Sequence, residues 1–147
     1  MSYEKEQPRV AAAGGDRIKL TIGEALDATV HTVGDKPVEQ SDAAAIQAAE
    51  MRATGRHEIT PGGLAALAQK AAAYNKGCVR EEDKIKMSDI VSGATVRLPA
   101  DKEATRQDAV EVVSAELRNS TNVSTTRGGV AASVAVATRL NENPNFQ

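Results

Sequence analysis

Apolar positions recur along this chain at helical spacing. Ile22, Ala25, Leu26, Thr29, Val30 and Val33 fall on one helical stripe, and Thr21 with Glu24 spells a capping box at its start. A second stripe starts at Ser41 or Asp42 as N-cap, runs through Ile46, Ala49 and Ala53, and stops at Gly55. A third opens at Thr60-Pro61, a hydroxyl cap followed by proline at the first helical position, and presents Leu64, Leu67, Ala68 and Ala71.

The pattern then repeats. Moving the sequence by 66 residues lays Asp35-Lys36 on Asp101-Lys102, Asp42-Ala43 on Asp108-Ala109, Glu50 on Glu116, Arg52 on Arg118, Gly62-Gly63 on Gly128-Gly129 and Asn75 on Asn141. This is a tandem duplication. In the second copy Met87, Ile90, Val91, Ala94 and Leu98 form the first stripe, Ala109, Val112, Val113 and Leu117 the second, after Thr105. Residues 130–140 form the third, read as helix although its valines let a strand compete. The first stripes match at an offset of 65, whereas Ala28-Thr29-Val30 against Ala94-Thr95-Val96 needs 66, and the residues alone do not choose.

The expected fold is mainly α: two tandem three-helix repeats, 18–76 and 87–141, sharing a small Ala/Val/Leu core. A single repeat with so few large side chains would be marginal alone. Between them 77–86 is a charged linker in which Glu82 and Lys86 stand at i, i+4. Residues 1–17 are expected to be a flexible N-terminal tail and 142–147, with Pro144, a flexible C-terminal one.

Composition narrows the function. The 147 residues contain no Trp, two Tyr and one Phe, so the core must be built from small aliphatic side chains. Eighteen basic residues against twenty acidic ones leave a net charge of −2, with no basic stripe or aromatic platform for specific nucleic-acid binding. No apolar run spans a membrane and Met1–Asp16 has no signal-peptide centre, so a cytosolic or nuclear protein is expected. On that expectation Asn119-Ser120-Thr121 and Asn122-Val123-Ser124 are polar loop rather than glycosylation sites. The single Cys78 allows no intrachain disulfide, and with two histidines no zinc site is expected.

No nucleophile, base and orienting group cluster in the sequence, and neither His31 beside Asp35 nor Cys78 between Lys76 and Arg80 supplies such a set. The expectation is no catalytic residue, no cofactor and no metal. The most chemical-looking feature is the repeated turn, with Thr60, Gly62 and Gly63 matched by Thr126, Gly128 and Gly129. Each places a hydroxyl and small residues where free N–H groups at a helix start could hold an anion or take a cap.

These residues also carry a family resemblance. Gly34-Asp35-Lys36-Pro37-Val38, the run from Gln40 to Glu50, Ile59-Thr60-Pro61-Gly62-Gly63, Leu98-Pro99-Ala100-Asp101-Lys102 and Gly128-Gly129-Val130-Ala131-Ala132 closely resemble the seed maturation protein (SMP) domain of plant late embryogenesis abundant proteins. Longer members of that family show three repeats, and Arg127 stands here where the first copy has Pro61. The resemblance implies a non-enzymatic protein of seed embryos, in cytoplasm and nucleus, associated with desiccation tolerance and with client proteins during dehydration. The alternative is a folded two-repeat module that binds a protein partner or a small anion.

Overall fold

The computed structural model describes residues 19–143; the tail expected at 1–17 and Pro144 lie outside them. The path starts with α1 (Ile22–Ala28), which passes through Thr29 into the short α2 (Val30–Val33), followed by α3 (Gln40–Thr54) and α4 (Leu64–Lys76). A 3-10 turn at Glu81–Asp83 leads into α5 (Met87–Val91) and α6 (Ala94–Arg97), and then α7 (Arg106–Arg118) and α8 (Val130–Glu142) complete the second copy. Residues 130–140 are therefore helix, and among the described residues β structure is confined to the isolated bridges Thr21–Glu103 and Pro37–Lys86.

Local chemistry sets most of the starts. At α1 the Glu24 amide donates to Thr21 Oγ1 (3.1 Å) and the Thr21 amide to Glu24 Oε1 (2.8 Å), the expected capping box. Thr105 and Asp108 do the same for α7. Two expected starts shift. The N-cap of α3 is Glu39 rather than Ser41 or Asp42, because Asp42 serves three residues in, accepting the Glu39 amide at 2.9 Å. Thr60-Pro61 is not a cap and first helical residue: it belongs to a turn closed by Gly63 N–H to Thr60 O (3.0 Å), and α4 starts at Leu64. In the charged segment Glu82 pairs with Arg80, and Lys86 Nζ donates to Glu81 O.

The conflict between offsets 65 and 66 resolves at one residue. Thr29 stays in the right-handed region, so the first copy runs on from α1 to α2, whereas the second breaks at Ser92 and inserts Gly93. Gly93 has φ +71°, a conformation that glycine adopts at little cost. Residues before it match at 65 and residues after it at 66.

The two copies share one core. α3 packs along α7, with α4 on the outer side of α3 and α8 on that of α7. α3 buries Ala43, Ala45, Ile46, Ala49 and Ala53, and α7 buries Ala109, Val112 and Ala115. Such small side chains let two helices approach closely at the cost of bulk in the core. Ile22, Leu26, Leu64, Met87, Val91, Val130 and Val134 supply the remaining bulk and are fully or almost fully buried.

The short helices are exchanged between the copies. α1 lies on α8 and α6, while α5 lies on α4 and α2. Backbone bonds repeat this reciprocally: Ile22 N–H to Lys102 O (2.9 Å) and Ala104 N–H to Leu20 O (2.9 Å) on one side, Met87 N–H to Lys36 O (2.8 Å) and Val38 N–H to Ile85 O (3.0 Å) on the other. Each half of the molecule is thus completed by a helix from the other sequence repeat.

Candidate functional site

The glycine turns sit at the starts of α4 and α8, in separate halves of the molecule. Gly63 and Gly129 are the N-caps, neither receives a side-chain bond from Thr60 or Thr126, and Gly62 and Gly128 have φ of +73° and +67°. The amides that follow are nevertheless held by an anion, the protein's own. Glu50, buried on α3, accepts the Ala65 amide at 2.7 Å. Glu116, buried on α7, accepts the Thr126 amide at 2.6 Å and the Ala131 amide at 3.3 Å.

A buried carboxylate facing N–H groups and the positive end of a helix dipole recovers part of its lost hydration. The recovery is incomplete at Glu116. Burial raises its pKa above the ordinary 4.5, the Thr126 and Ala131 amides oppose the rise, Asp42 adds to it and Lys36 reduces it. Gly63 leaves room for this carboxylate: a Cβ there would stand 2.6 Å from Glu50 Oε2, which makes no hydrogen bond of its own.

The seam between α3 and α7 holds a second pair of buried acids. Asp108 accepts Arg52 Nε (2.7 Å), the Thr105 amide and hydroxyl (both 2.9 Å), and Lys102 Nζ. Burial alone would push its carboxyl up, but these bonds from Lys102, Arg52 and Thr105 together outweigh it, and the pKa lies below the ordinary 3.8. The counterpart is incomplete: Asp42 accepts Lys36 Nζ and the Glu39 amide, while its buried Oδ1 has no partner and Arg118 is exposed.

A third element of polar order was not anticipated. Asn75 Nδ2 donates to Val38 O (3.0 Å) and Ile85 O (2.8 Å), and its Oδ1 accepts the Ile85 amide (2.7 Å). Asn141 repeats this with Ala104 O (3.0 Å), Leu20 O (2.9 Å) and the Leu20 amide (2.7 Å). Both side chains are buried. The signal available in the sequence was the return of Glu50 and Asn75 as Glu116 and Asn141 at the repeat offset.

The remaining candidates do not converge. His31 and Asp35 are exposed, and Cys78 is a half-buried free thiol whose polar neighbours include Asp83 O at 4.0 Å and the Tyr74 side chain. Among the described residues no three His, Cys, Asp or Glu side chains could hold a metal ion, and no helix is long and apolar enough to cross a membrane. An open groove of about 610 Å³ runs along α3 and α7, with Gln47 and Gln69 on its wall and Arg52, Arg56 and Arg118 among its lining residues.

Comparison with known proteins places this arrangement. The family model described as seed maturation protein matches residues 20–78 and 85–144, one match for each copy. Among curated relatives, late embryogenesis abundant protein D-34 of Gossypium hirsutum is 67% identical over 86% of this chain and 48% of its own length. Late embryogenesis abundant protein 31 of Arabidopsis thaliana is 65% identical, covering 86% and 48%, and late embryogenesis abundant protein 3 of Arabidopsis thaliana is 53% identical, covering 96% and 77%. The chain spans about half the length of the first two. No solved structure matches.

Proposed function

Because the chain belongs to the seed maturation protein family of late embryogenesis abundant proteins, we propose that it is a non-enzymatic protectant that stays folded while a seed embryo dries and shields other macromolecules during water loss. The observation that carries this is the internal satisfaction of groups that proteins commonly leave to water. Helix starts and buried carbonyls ordinarily depend on solvent, capping side chains or both. Here Glu50 and Glu116 cap α4 and α8, and Asp27 accepts the Gly93, Ala94 and Thr95 amides at the start of α6. Asn75 and Asn141 close the two exchanged junctions. A fold held this way loses few partners when water leaves.

Of its exposed large apolar side chains, Val79, Val96 and Val123 stand apart from one another on separate segments, which limits aggregation as the solution concentrates, whereas Val136 lines the apolar groove between α1 and α8. The action belongs in the cytoplasm and nucleus, where a fluorescent fusion expressed in maturing embryos should be found. The decisive test dries a desiccation-sensitive enzyme with the full chain and, separately, with an equal mass of albumin. Greater recovery of activity with the chain supports protection, and equal recovery ends the proposal. Circular dichroism should show cooperative unfolding in dilute buffer and retained helix in the dried film.

The α3–α7 groove favours a second reading, a module that binds a small anion. Titration with pyrophosphate followed by calorimetry tests it: heat that disappears in Arg118→Ala supports a site there.

A further inference from the structure

The seam between α3 and α7 is built twice, and its two ends are finished differently. At one end Arg52, near the close of α3, bonds Asp108 in the first turn of α7 at 2.7 Å. The repeat offset gives Arg118, the last residue of α7, and Asp42, in the first turn of α3, as the counterparts at the other end. There the pair is not made: Asp42 is fully buried, its Oδ1 has no hydrogen-bond partner, and Arg118 is exposed.

The Asp42 end is also short of positive charge. Asp108 has two cations, Arg52 and Lys102, and the neutral hydroxyl of Thr105. At the offset Thr105 becomes Glu39, so Lys36 Nζ serves Asp42 and, at 3.5 Å, the Glu39 carboxylate as well. The charges of Asp42 and Lys36 are both felt at Glu116, the first raising and the second lowering its pKa. Three carboxylates therefore share Lys36. Arg118 stands where it can relieve them. It lines the groove along the seam together with Gln40 and Ala43, close to Asp42 on α3. Arg52 lines the same groove with a side chain 39% exposed and still bonds a carboxylate that is 0% exposed, so the wall between groove and seam is one arginine side chain deep.

We propose that Arg118 is a movable bolt that turns from the groove onto Asp42 Oδ1 as water is withdrawn, closing the second end of the seam as Arg52 closes the first. In water the exposed guanidinium keeps its hydration, and bringing it in costs desolvation and the rotamer freedom of a long side chain. The ordering cost is larger at Arg118 than at Arg52, because α7 ends at Arg118 whereas α3 continues to Thr54, and helix ends fray. Drying strips the hydration whether or not the pair forms, and the attraction between the charges grows as the surrounding dielectric falls. The favoured position therefore changes as water leaves, and the two repeats become tied at both ends of the seam. The inference is independent of whether the protein protects other molecules.

The test is a rotational-echo solid-state NMR measurement between labelled arginine guanidinium nitrogens and labelled aspartate carboxyl carbons. It uses the full chain, diluted into unlabelled protein so that contacts between copies are silent. Frozen dilute solution and dried film are compared for the parent, Arg118→Gln and Asp42→Asn. On drying, the dephased signal of the parent should rise by one aspartate of the chain's eight, and the rise should be missing from both variants. A parent signal that does not rise on drying, a rise that persists in either variant, or an Asp42 carbon already dephased in the frozen solution overturns the proposal.

Discussion

Asn75 and Asn141 show what a single residue contributes here. Each amide uses both donor hydrogens and its carbonyl oxygen on backbone groups brought together from two distant segments. Truncation to alanine would strand a half-buried N–H and the carbonyl of Val38 or Ala104, while Ile85 O and Leu20 O keep the Val38 and Ala104 amides, so Asn75→Ala and Asn141→Ala should each cost about 2–4 kcal/mol in urea unfolding. Aspartate should rescue neither, because a carboxylate cannot donate. A loss below about 0.5 kcal/mol, the size of an ordinary surface substitution, would show that the clamps do not hold the junctions. A second pair of residues should respond unequally. A Cβ on Gly63 would lie 2.6 Å from Glu50 Oε2, whereas on Gly129 the nearest atom is Thr126 Cβ at 3.0 Å. Gly63→Ala should therefore destabilise more than Gly129→Ala, and equal melting temperatures would show that the Glu50 carboxylate shifts aside without cost. None of this was visible one residue at a time. A buried asparagine near a helix end looks like any surface asparagine, since its partners lie about ten and forty residues away.

At the scale of the elements, the buried carboxylates of the α3–α7 seam give stability two opposing dependences on pH. Asp108 has a folded pKa below the ordinary 3.8. The folded state thus keeps its charge where the unfolded chain takes up a proton, and this stabilisation is present above 3.8 and lost as pH falls through the lowered value. Glu116 has a folded pKa above the ordinary 4.5. There the folded state binds the proton more readily, so the favourable contribution is present below 4.5 and lost as pH rises through the raised value. Urea midpoints measured from about pH 2 to 7 should show Asp108→Asn flattening the acid limb and Glu116→Gln flattening the opposite one. Slopes unchanged from the parent chain would contradict both assignments. The helices themselves were legible in the sequence: the stripes, the Thr21 and Thr105 starts, the Gly55 stop and the duplication all reappear. The starts of α3 and α4 were not, because their caps depend on carboxylates, Asp42 for α3 and Glu50 for α4, and only the first lies nearby in the chain. In the charged segment between the copies Asn75 draws Ile85 back to α4 and leaves room for one 3-10 turn.

For the whole molecule, the reciprocal exchange of α1 and α5 makes chain order nearly interchangeable with a circular permutation. Lys19 and Leu20 already touch Asn141, while the exposed Val79 and Arg80 lie in the loop that joins α4 to α5. Joining Gln147 to Met1 and opening the chain between Val79 and Arg80 moves no described helix from its seat. The permutant should fold with the parent's helical signal and cooperative melting, because new ends are tolerated where the backbone is exposed and carries few bonds. A permutant that is unfolded or melts without cooperativity would mean that the link from α4 to α5 is needed to place α5.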